Sequence, residues 1–300
     1  MTRDSRLGRW ITSLPPLVYL LVFFAAPAAI MLFASFRHPG DYGGLAPWFS
    51  RGPEGLQLDL TLDNYRRLVE SPVYLRLFAK SLSYAVLSTG ICLLLAYPLA
   101  LVIARSAKKW RDLLVLLVIL PFWSNFLVRI YAWMILLSPG GALTAALNWL
   151  RALVGLEPTS LLFTPTAVVI CLVYVHLPFM VLPLYANLEK HDLALLDAAQ
   201  DLGASRWQRF LKVTLPLSMP GIYAGSTLVF IPVLGMFAVP DLIGGTRGIM
   251  IGNLIKQQFL ESRDWPFGSV LSMVLTVGAI LLALGAALLA RRGGGARAQS

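Results

Sequence analysis

The chain has 300 residues, of which 57% are hydrophobic and only 13% charged, with a formal net charge of +10. A soluble domain of this length has no use for so large an apolar fraction, and a mean hydropathy of +0.71 points to a protein solvated by lipid. The positive charge does not make a nucleic-acid surface, which needs a continuous soluble face; it is scattered over short segments between apolar runs.

Apolar runs of about 20 residues cross a bilayer as helices, and the runs predict spans at 14–36, 81–104, 113–137, 161–188, 221–240 and 267–290. They lie between a cytoplasmic N-terminus, 1–13, and a cytoplasmic tail, 291–300. Ala26-Pro27-Ala28 mimics a signal-peptide cleavage site, but the apolar run continues past it to spanning length, and Pro27 is expected to kink the helix. Residues 37–80 form the largest outer loop. Its Gly- and Pro-rich first half reads as irregular; in its second half Tyr65, Leu68 and Val69 stand at the spacing of a surface helix, either interfacial or in contact with a ligand.

A basic turn, RSAKKWRD, precedes the third span. There Arg129 stands among Trp123, Asn125, Tyr131 and Trp133, as an interhelical anchor or a substrate contact, because an arginine in a span must face protein or water. A short outer helix is expected over 143–154, and the fourth span carries Tyr174, His176 and Pro178. Cys92 and Cys171 fall inside spans and read as small buried residues, and His38, His176 and His191 are too scattered for a metal cluster. No metal site is expected.

The longest charged interruption of the second half is 189–220. Asp192 is placed to cap a short helix that Gly203 ends, and Ser205 to cap a second one carrying Trp207, Phe210 and Leu211. Pro216 and Pro220 are expected to stop that pattern before the fifth span. That span opens with Gly221 and Gly225, a spacing that permits close helix contact. Asp241 closes it at the outer end, next to the flexible pair Gly244-Gly245; it either lines a pathway, forms an outer gate or pairs with Arg129. With the N-terminus inside, Arg3, Arg6, Arg9, the Arg105–Arg111 turn, the 189–220 loop and Arg291, Arg292 and Arg297 all fall on the cytoplasmic side, as the positive-inside rule asks.

Within 189–220, Asp197-Ala198-Ala199, then Gly203 after three residues, then Val213, Leu215 and Pro216 after nine more, resembles the EAA motif of ABC-importer permeases, with Asp for Glu and Val for Ile. Arg263-Asp264-Trp265-Pro266-Phe267-Gly268, Leu120-Pro121-Phe122-Trp123 and Asp63-Asn64-Tyr65 extend the resemblance, over about 14–290, to the spermidine/putrescine permease family. The resemblance implies an all-α integral membrane protein of six transmembrane helices, with the type I ABC importer permease (MetI-like) fold and a cytoplasmic coupling helix. It implies a non-catalytic subunit in a bacterial inner membrane, multi-pass, importing polyamines. Asp197, Ala198, Ala199, Gly203, Ala204, Ser205, Arg206, Leu215 and Pro216 would couple it to an ATPase. Asp241, Trp123, Asn125, Arg129, Tyr131, Trp133 and Tyr174 are chemically suited to a cation pathway. Expected partners are a second permease subunit, two ATP-binding subunits, an external substrate-binding protein and membrane lipid, and no nucleic acid. No Gly-xxxx-Gly-Lys-Ser/Thr phosphate loop occurs, so ATP and Mg are expected in the partner ATPase, with no cofactor on this chain. Rival readings are the same architecture carrying another amine or an opine-like solute, an ion-driven secondary transporter that needs no coupling loop, and a membrane enzyme, for which the spans hold no catalytic constellation.

Overall fold

The computed structural model describes residues 13–52 and 55–295, with side chains for all of these but 50–52, 55–58 and 286–295. Arg3, Arg6 and Arg9 of the predicted N-terminus and Arg297 of the tail lie outside the described residues, and the side chains of Arg291 and Arg292 are not described either. Six helical segments are long and apolar enough to cross a membrane: Ser13–Ser35, Pro72–Arg105, Phe126–Leu153, Pro165–Leu188, Arg206–Leu234 and Trp265–Gly285. Helices satisfy their own backbone polar groups, which is what a segment without water must do.

The described chain divides into two units. One contains residues up to Leu75 and the segment Leu254–Gly278. Its first helix, α1 (Ser13–Ser35), includes a π-turn at Leu21–Ala25 just ahead of Pro27. The predicted irregular loop that follows instead holds an antiparallel hairpin, β1 (Phe49–Gly52) and β2 (Gly55–Leu58), with Phe49 opposite Leu58. Helix α2 (Asp63–Glu70) is the surface helix read from the sequence. It is tied back by Asn64, whose buried Nδ2 donates to Ser35 O and to Arg37 O at 2.8 Å, and by the Tyr65 hydroxyl, 2.7 Å from Ser35 Oγ. Arg67 lies 4.1 Å over the Phe267 ring and pairs with Asp264 at 2.9 Å.

The other unit runs from Arg76 to Asn253 and resumes at Ala279. Helix α3 (Pro72–Arg105) is longer than the predicted second span: it starts nine residues earlier, one extended residue, Ser71, after α2 ends. The third predicted span, 113–137, is not one helix. It is α4 (Lys108–Ile119), a 3-10 turn over Leu120–Trp123, and α5 (Phe126–Leu137). Pro121 supplies no N–H to a continuing helix, and Asn125 restarts one by accepting from Leu127 N–H at 2.8 Å. Each 12-residue half is about 18 Å long, too short to span alone. The short helix expected at 143–154 is α6 (Ala142–Leu153), which with α5 makes up the third candidate span, Phe126–Leu153, in place of 113–137.

Helix α7 (Pro165–Leu188), capped by Thr164, is the core of this unit, with Leu172, Met180 and Leu184 fully buried. Its neighbour α9 (Arg206–Leu234) presents Gly221 and Gly225 to it. A Cβ at 221 would sit 2.8 Å from Asn187 Cβ, and one at 225 would sit 2.7 Å from Met180 Sδ and 3.1 Å from Met180 O. The paired glycines therefore let two backbones approach as the spacing suggested. Pro216 and Pro220 do not stop this helix. A π-turn over Phe210–Thr214, closed by Leu215 N–H to Phe210 O, widens the ladder just ahead of Pro216, and the helix runs on to Leu234. The same order, π-turn then proline, recurs at Pro27. The ring of a proline collides with the carbonyl four residues back, and a wider turn there leaves it room.

The fifth predicted span ends six residues early, at Leu234, because the chain breaks at Gly235 and re-forms as a π-turn over Pro240–Gly244 and a helical turn over Gly245–Gly248. Gly245 has φ +54, and a Cβ on it would lie 3.0 Å from Phe163 Cβ. Helix α10 (Ile251–Leu260) and α11 (Trp265–Gly295) complete the chain.

Candidate functional site: a capped helical loop and a polar break in the spans

The caps and the glycine turn of the charged stretch 189–220 form as read, although its second helix runs on past Pro216 and Pro220. Asp192 Oδ1 accepts from Ala194 N–H at 3.0 Å and starts α8 (Ala194–Asp201). The helix ends in a Schellman motif: Gly203 N–H donates to Gln200 O at 2.8 Å and Ala204 N–H to Ala199 O at 3.0 Å, with Gly203 at φ +80. Ser205 then opens α9 with a capping box. Its Oγ accepts from Gln208 N–H at 3.3 Å while Gln208 Oε1 accepts from Ser205 N–H at 2.9 Å. Arg209 Nη1 reaches across the turn to Gln200 Oε1 at 2.6 Å. Two helix ends are satisfied within a dozen residues, so the loop has a defined shape of its own.

That shape presents apolar side chains to solvent. Leu202 is 89% exposed, Trp207 68% and Leu193 61%. Asp197, Ala198, Ser205 and Arg206 are exposed beside them, while Ala199 and Ala204 are half-buried. Leu215 and Pro216 lie at the foot of α9, half-buried. Apolar residues clustered on a polar, well-capped loop mark a contact surface rather than a core.

The loop is also fastened from inside, by residues the sequence reading passed over. Arg111 donates to the Glu189 carboxylate, and its Nη2 reaches Ala104 O at 3.2 Å and Ser106 O at 3.3 Å, so one guanidinium joins the end of α3, the start of α4 and the start of the loop. The Tyr185 hydroxyl and then Arg111 hold the Glu189 carboxyl below the usual carboxylate range. On α9, the Phe210 ring packs edge-on against Tyr97, at 5.7 Å, and the Tyr97 hydroxyl lies 2.9 Å from Ser218 Oγ. An Arg, a Glu and a Tyr spaced over three helices give no local sequence signal.

The residues suited to a cation path fall into separate groups. Trp133 and Tyr174 come together, ring centroids 5.1 Å apart, between α5 and α7. Arg129 does not pair with Asp241: its guanidinium lies 4.7 Å over the Phe122 ring and 5.9 Å from that of Phe126. The two ring faces offset part of the cost of a cation in an apolar segment, while Arg129 Nε is buried without a hydrogen-bond partner. Phe122 in turn packs edge-on against Phe179 at 5.2 Å, and His176 stands 6.1 Å from Phe179. Asn125 is the cap of α5, and Trp123, 73% exposed, and Tyr131, also exposed, face outward from the unit.

Asp241 sits on the π-turn beyond the break, not at the end of the span, and accepts from Asn253 Nδ2. Asn253 also donates to Phe237 O at 2.9 Å and accepts from Met250 N–H at 2.9 Å, and Ser81 Oγ accepts from Ile251 N–H at 2.7 Å. Gly252 is pressed against the broken end of α9, where a Cβ would meet Gly235 O at 2.5 Å and Met236 O at 2.7 Å. Asn253 was missed because an Asn after an apolar run reads as a plain helix start. Among the described residues no three His, Cys, Asp or Glu side chains gather as a metal site, and Cys92 and Cys171 are free and buried.

These features have counterparts in known proteins. The spermidine/putrescine transport system permease protein PotB of Escherichia coli (strain K12) is 49% identical over 222 residues, covering 74% of this chain and 80% of that protein. In fold, a chain of the bacterial alginate ABC transporter, in complex with its alginate pentasaccharide-bound periplasmic protein, matches 96% of this chain and 96% of its own length, with a TM-score of 0.73 and 20% identity. A chain of the MetNI methionine ABC transporter, in an inward-facing conformation, matches 73% of this chain and 95% of its own, with a TM-score of 0.54 and 19% identity. The fold is thus the helical type I importer permease fold expected from the motif. The description "binding-protein-dependent transport system inner membrane component" matches residues 96–293, which include the capped loop and the polar break, and the chain belongs to that family of multi-pass inner-membrane permeases.

Proposed function

We propose that this chain forms one half of the pathway of an ATP-driven polyamine importer, taking putrescine or spermidine. The identity of 49% to PotB over 222 residues carries the reading of the cargo. The capped loop, with its exposed Leu202 and Trp207, is on this reading the surface that docks on an ATPase subunit, with the loop and both termini on the cytoplasmic side. ATP and Mg act on that partner; two such subunits, a second permease and an external binding protein complete the assembly. Closing of the ATPases would draw the loops of the two permeases together and turn the pathway outward, a rigid-body change between two states.

A polyamine loses hydration at every ammonium group, and aromatic faces and carboxylates offset that loss, each cation–π contact by roughly 0.5 to 2 kcal/mol. The Trp133–Tyr174 pair and Asp241 are the groups of this chain fitted to that task. Arg129, positive and seated on Phe122, would repel the cargo and is an anchor of the broken third span instead.

Uptake of labelled putrescine and spermidine, in cells lacking their own polyamine importers and supplied with this chain and its partner subunits, tests the cargo. Uptake should appear with the wild type and fall with Gly203→Asp. An assembled complex whose ATPase responds to its binding protein but which takes up neither compound would refute the cargo and leave the architecture standing.

A further inference from the structure

Behind the capped loop lies a pocket of about 740 Å3, walled by the ends of α3, α7 and α9 and by the loop itself. One side is apolar, with Leu101, Leu188, Phe210, Val213 and Leu217. The other is cationic, with Arg105, Arg111, Arg206, Arg209 and His191. Of the acids that line it, Glu189 is engaged by Arg111 and Asp192 caps Ala194, which leaves Asp197 against three guanidinia. Arg105 and Arg206 are exposed and Arg209 is half-buried, donating to Gln200 Oε1, and none of the three makes an ion pair among the described residues. His191 Nε2 and Arg111 Nε are buried with no hydrogen-bond partner. The pocket stands where the apolar helices α3 and α7 end and α9 begins, the end of a span being where lipid headgroups lie, and basic pockets between helices on the cytoplasmic side take anionic headgroups.

We propose that this pocket binds the phosphodiester headgroup of an anionic phospholipid of the inner leaflet, its acyl chains lying along the apolar wall. The site rests on the reading that the capped loop faces the ATPase side. Bound there, the lipid would cross-link the loop to the ends of α3 and α9 through charge, so the loop's position would depend on the composition of the leaflet.

The full transporter complex in a neutral detergent is titrated with dihexanoylphosphatidylglycerol, with dihexanoylphosphatidylcholine or with inorganic phosphate, and its Tm is read. The glycerol lipid should raise Tm by several degrees and the other two by less than half as much. Arg105→Gln combined with Arg209→Gln should weaken the glycerol lipid's effect at least tenfold. A phosphatidylcholine shift equal to that of the glycerol lipid, or a double variant with wild-type response, overturns the site; an equal shift with inorganic phosphate overturns a lipid as its occupant. Diazirine-bearing phosphatidylglycerol, photolysed on the wild-type complex, gives a second measurement that needs no variant to assemble. Labels should fall within 101–111 and 188–217, and labels confined to other segments overturn the proposal. Neither readout depends on cargo or on ATP turnover, so a failed coupling loop and a failed lipid site are told apart.

Discussion

Gly203 separates the shape of the coupling loop from its chemistry. Its φ is +80, and a Cβ built on it meets nothing within 4 Å. A side chain there is therefore not refused by a neighbour; its whole cost is the left-handed backbone, about 1–2 kcal/mol for an ordinary L residue and less for Asn, whose side chain tolerates that region. A cost of that size shifts the balance between the capped and frayed loop about 5- to 30-fold. Substitution by Asn, Ala and Val should lower the yield of ATPase co-purified with the permease pair in that order, with uptake falling in parallel. β-branched Val is the worst, because crowding at Cβ adds to the φ penalty. If Asn and Val lose the ATPase equally, or if loss follows side-chain volume while φ tolerance has no effect, the glycine is required for contact with the partner, and the Schellman argument fails.

Three other outcomes follow from the same structure. Gly225→Leu puts its Cβ 3.1 Å from the Met180 carbonyl, which cannot rotate away, and should destabilise the α7–α9 pair by roughly 1–3 kcal/mol, read as a lowered Tm of the purified complex. Asn253→Leu removes two donors and one acceptor where α9 breaks, orphaning Met250 N–H while Phe237 O keeps Asp241 N–H, and should cost roughly 1–3 kcal/mol; Asn253→Asp, which keeps the acceptor but sets a second carboxylate against Asp241, should recover none of it. Arg111→Ala should leave an assembled complex that hydrolyses ATP with less substrate moved per turnover, and Arg111→Lys should recover part of the ratio. The sign of the pH effect at that contact is fixed: the Glu189 carboxyl is held below its usual range, first by Tyr185 and then by Arg111, so the contact is intact above that range and is lost as pH falls through the depressed value. The transport-to-ATP ratio should accordingly stay level from pH 7 to about 5, and a fall over that interval that disappears in Glu189→Gln would contradict the assignment.

The spacing of small and capping residues was enough to place the loop. Asp192, Gly203 and Ser205 act through their own neighbours in sequence, and local hydrogen bonds need no tertiary context. Gly221 and Gly225 were legible for the same reason, since one turn of helix puts them on a single face. The span boundaries were less so. Pro216 reads as a stop, yet a π-turn absorbs it; Leu120-Pro121 reads as continuous greasy chain, yet the helix breaks there. Hydropathy registers transfer to lipid and is blind to which backbone bonds form.

Composition and period by themselves determined a six-span membrane protein with one organised loop, because burying apolar side chains in lipid and satisfying backbone groups within a helix are decided residue by residue. Only the tertiary structure decided that Arg129 rests on Phe122 and not on Asp241, that Arg111 reaches Glu189 from another helix, and that Asn253 holds the break beside Asp241. Charges in a low-dielectric interior take whichever partner the packing brings within reach, and packing between helices far apart in sequence leaves no periodic trace.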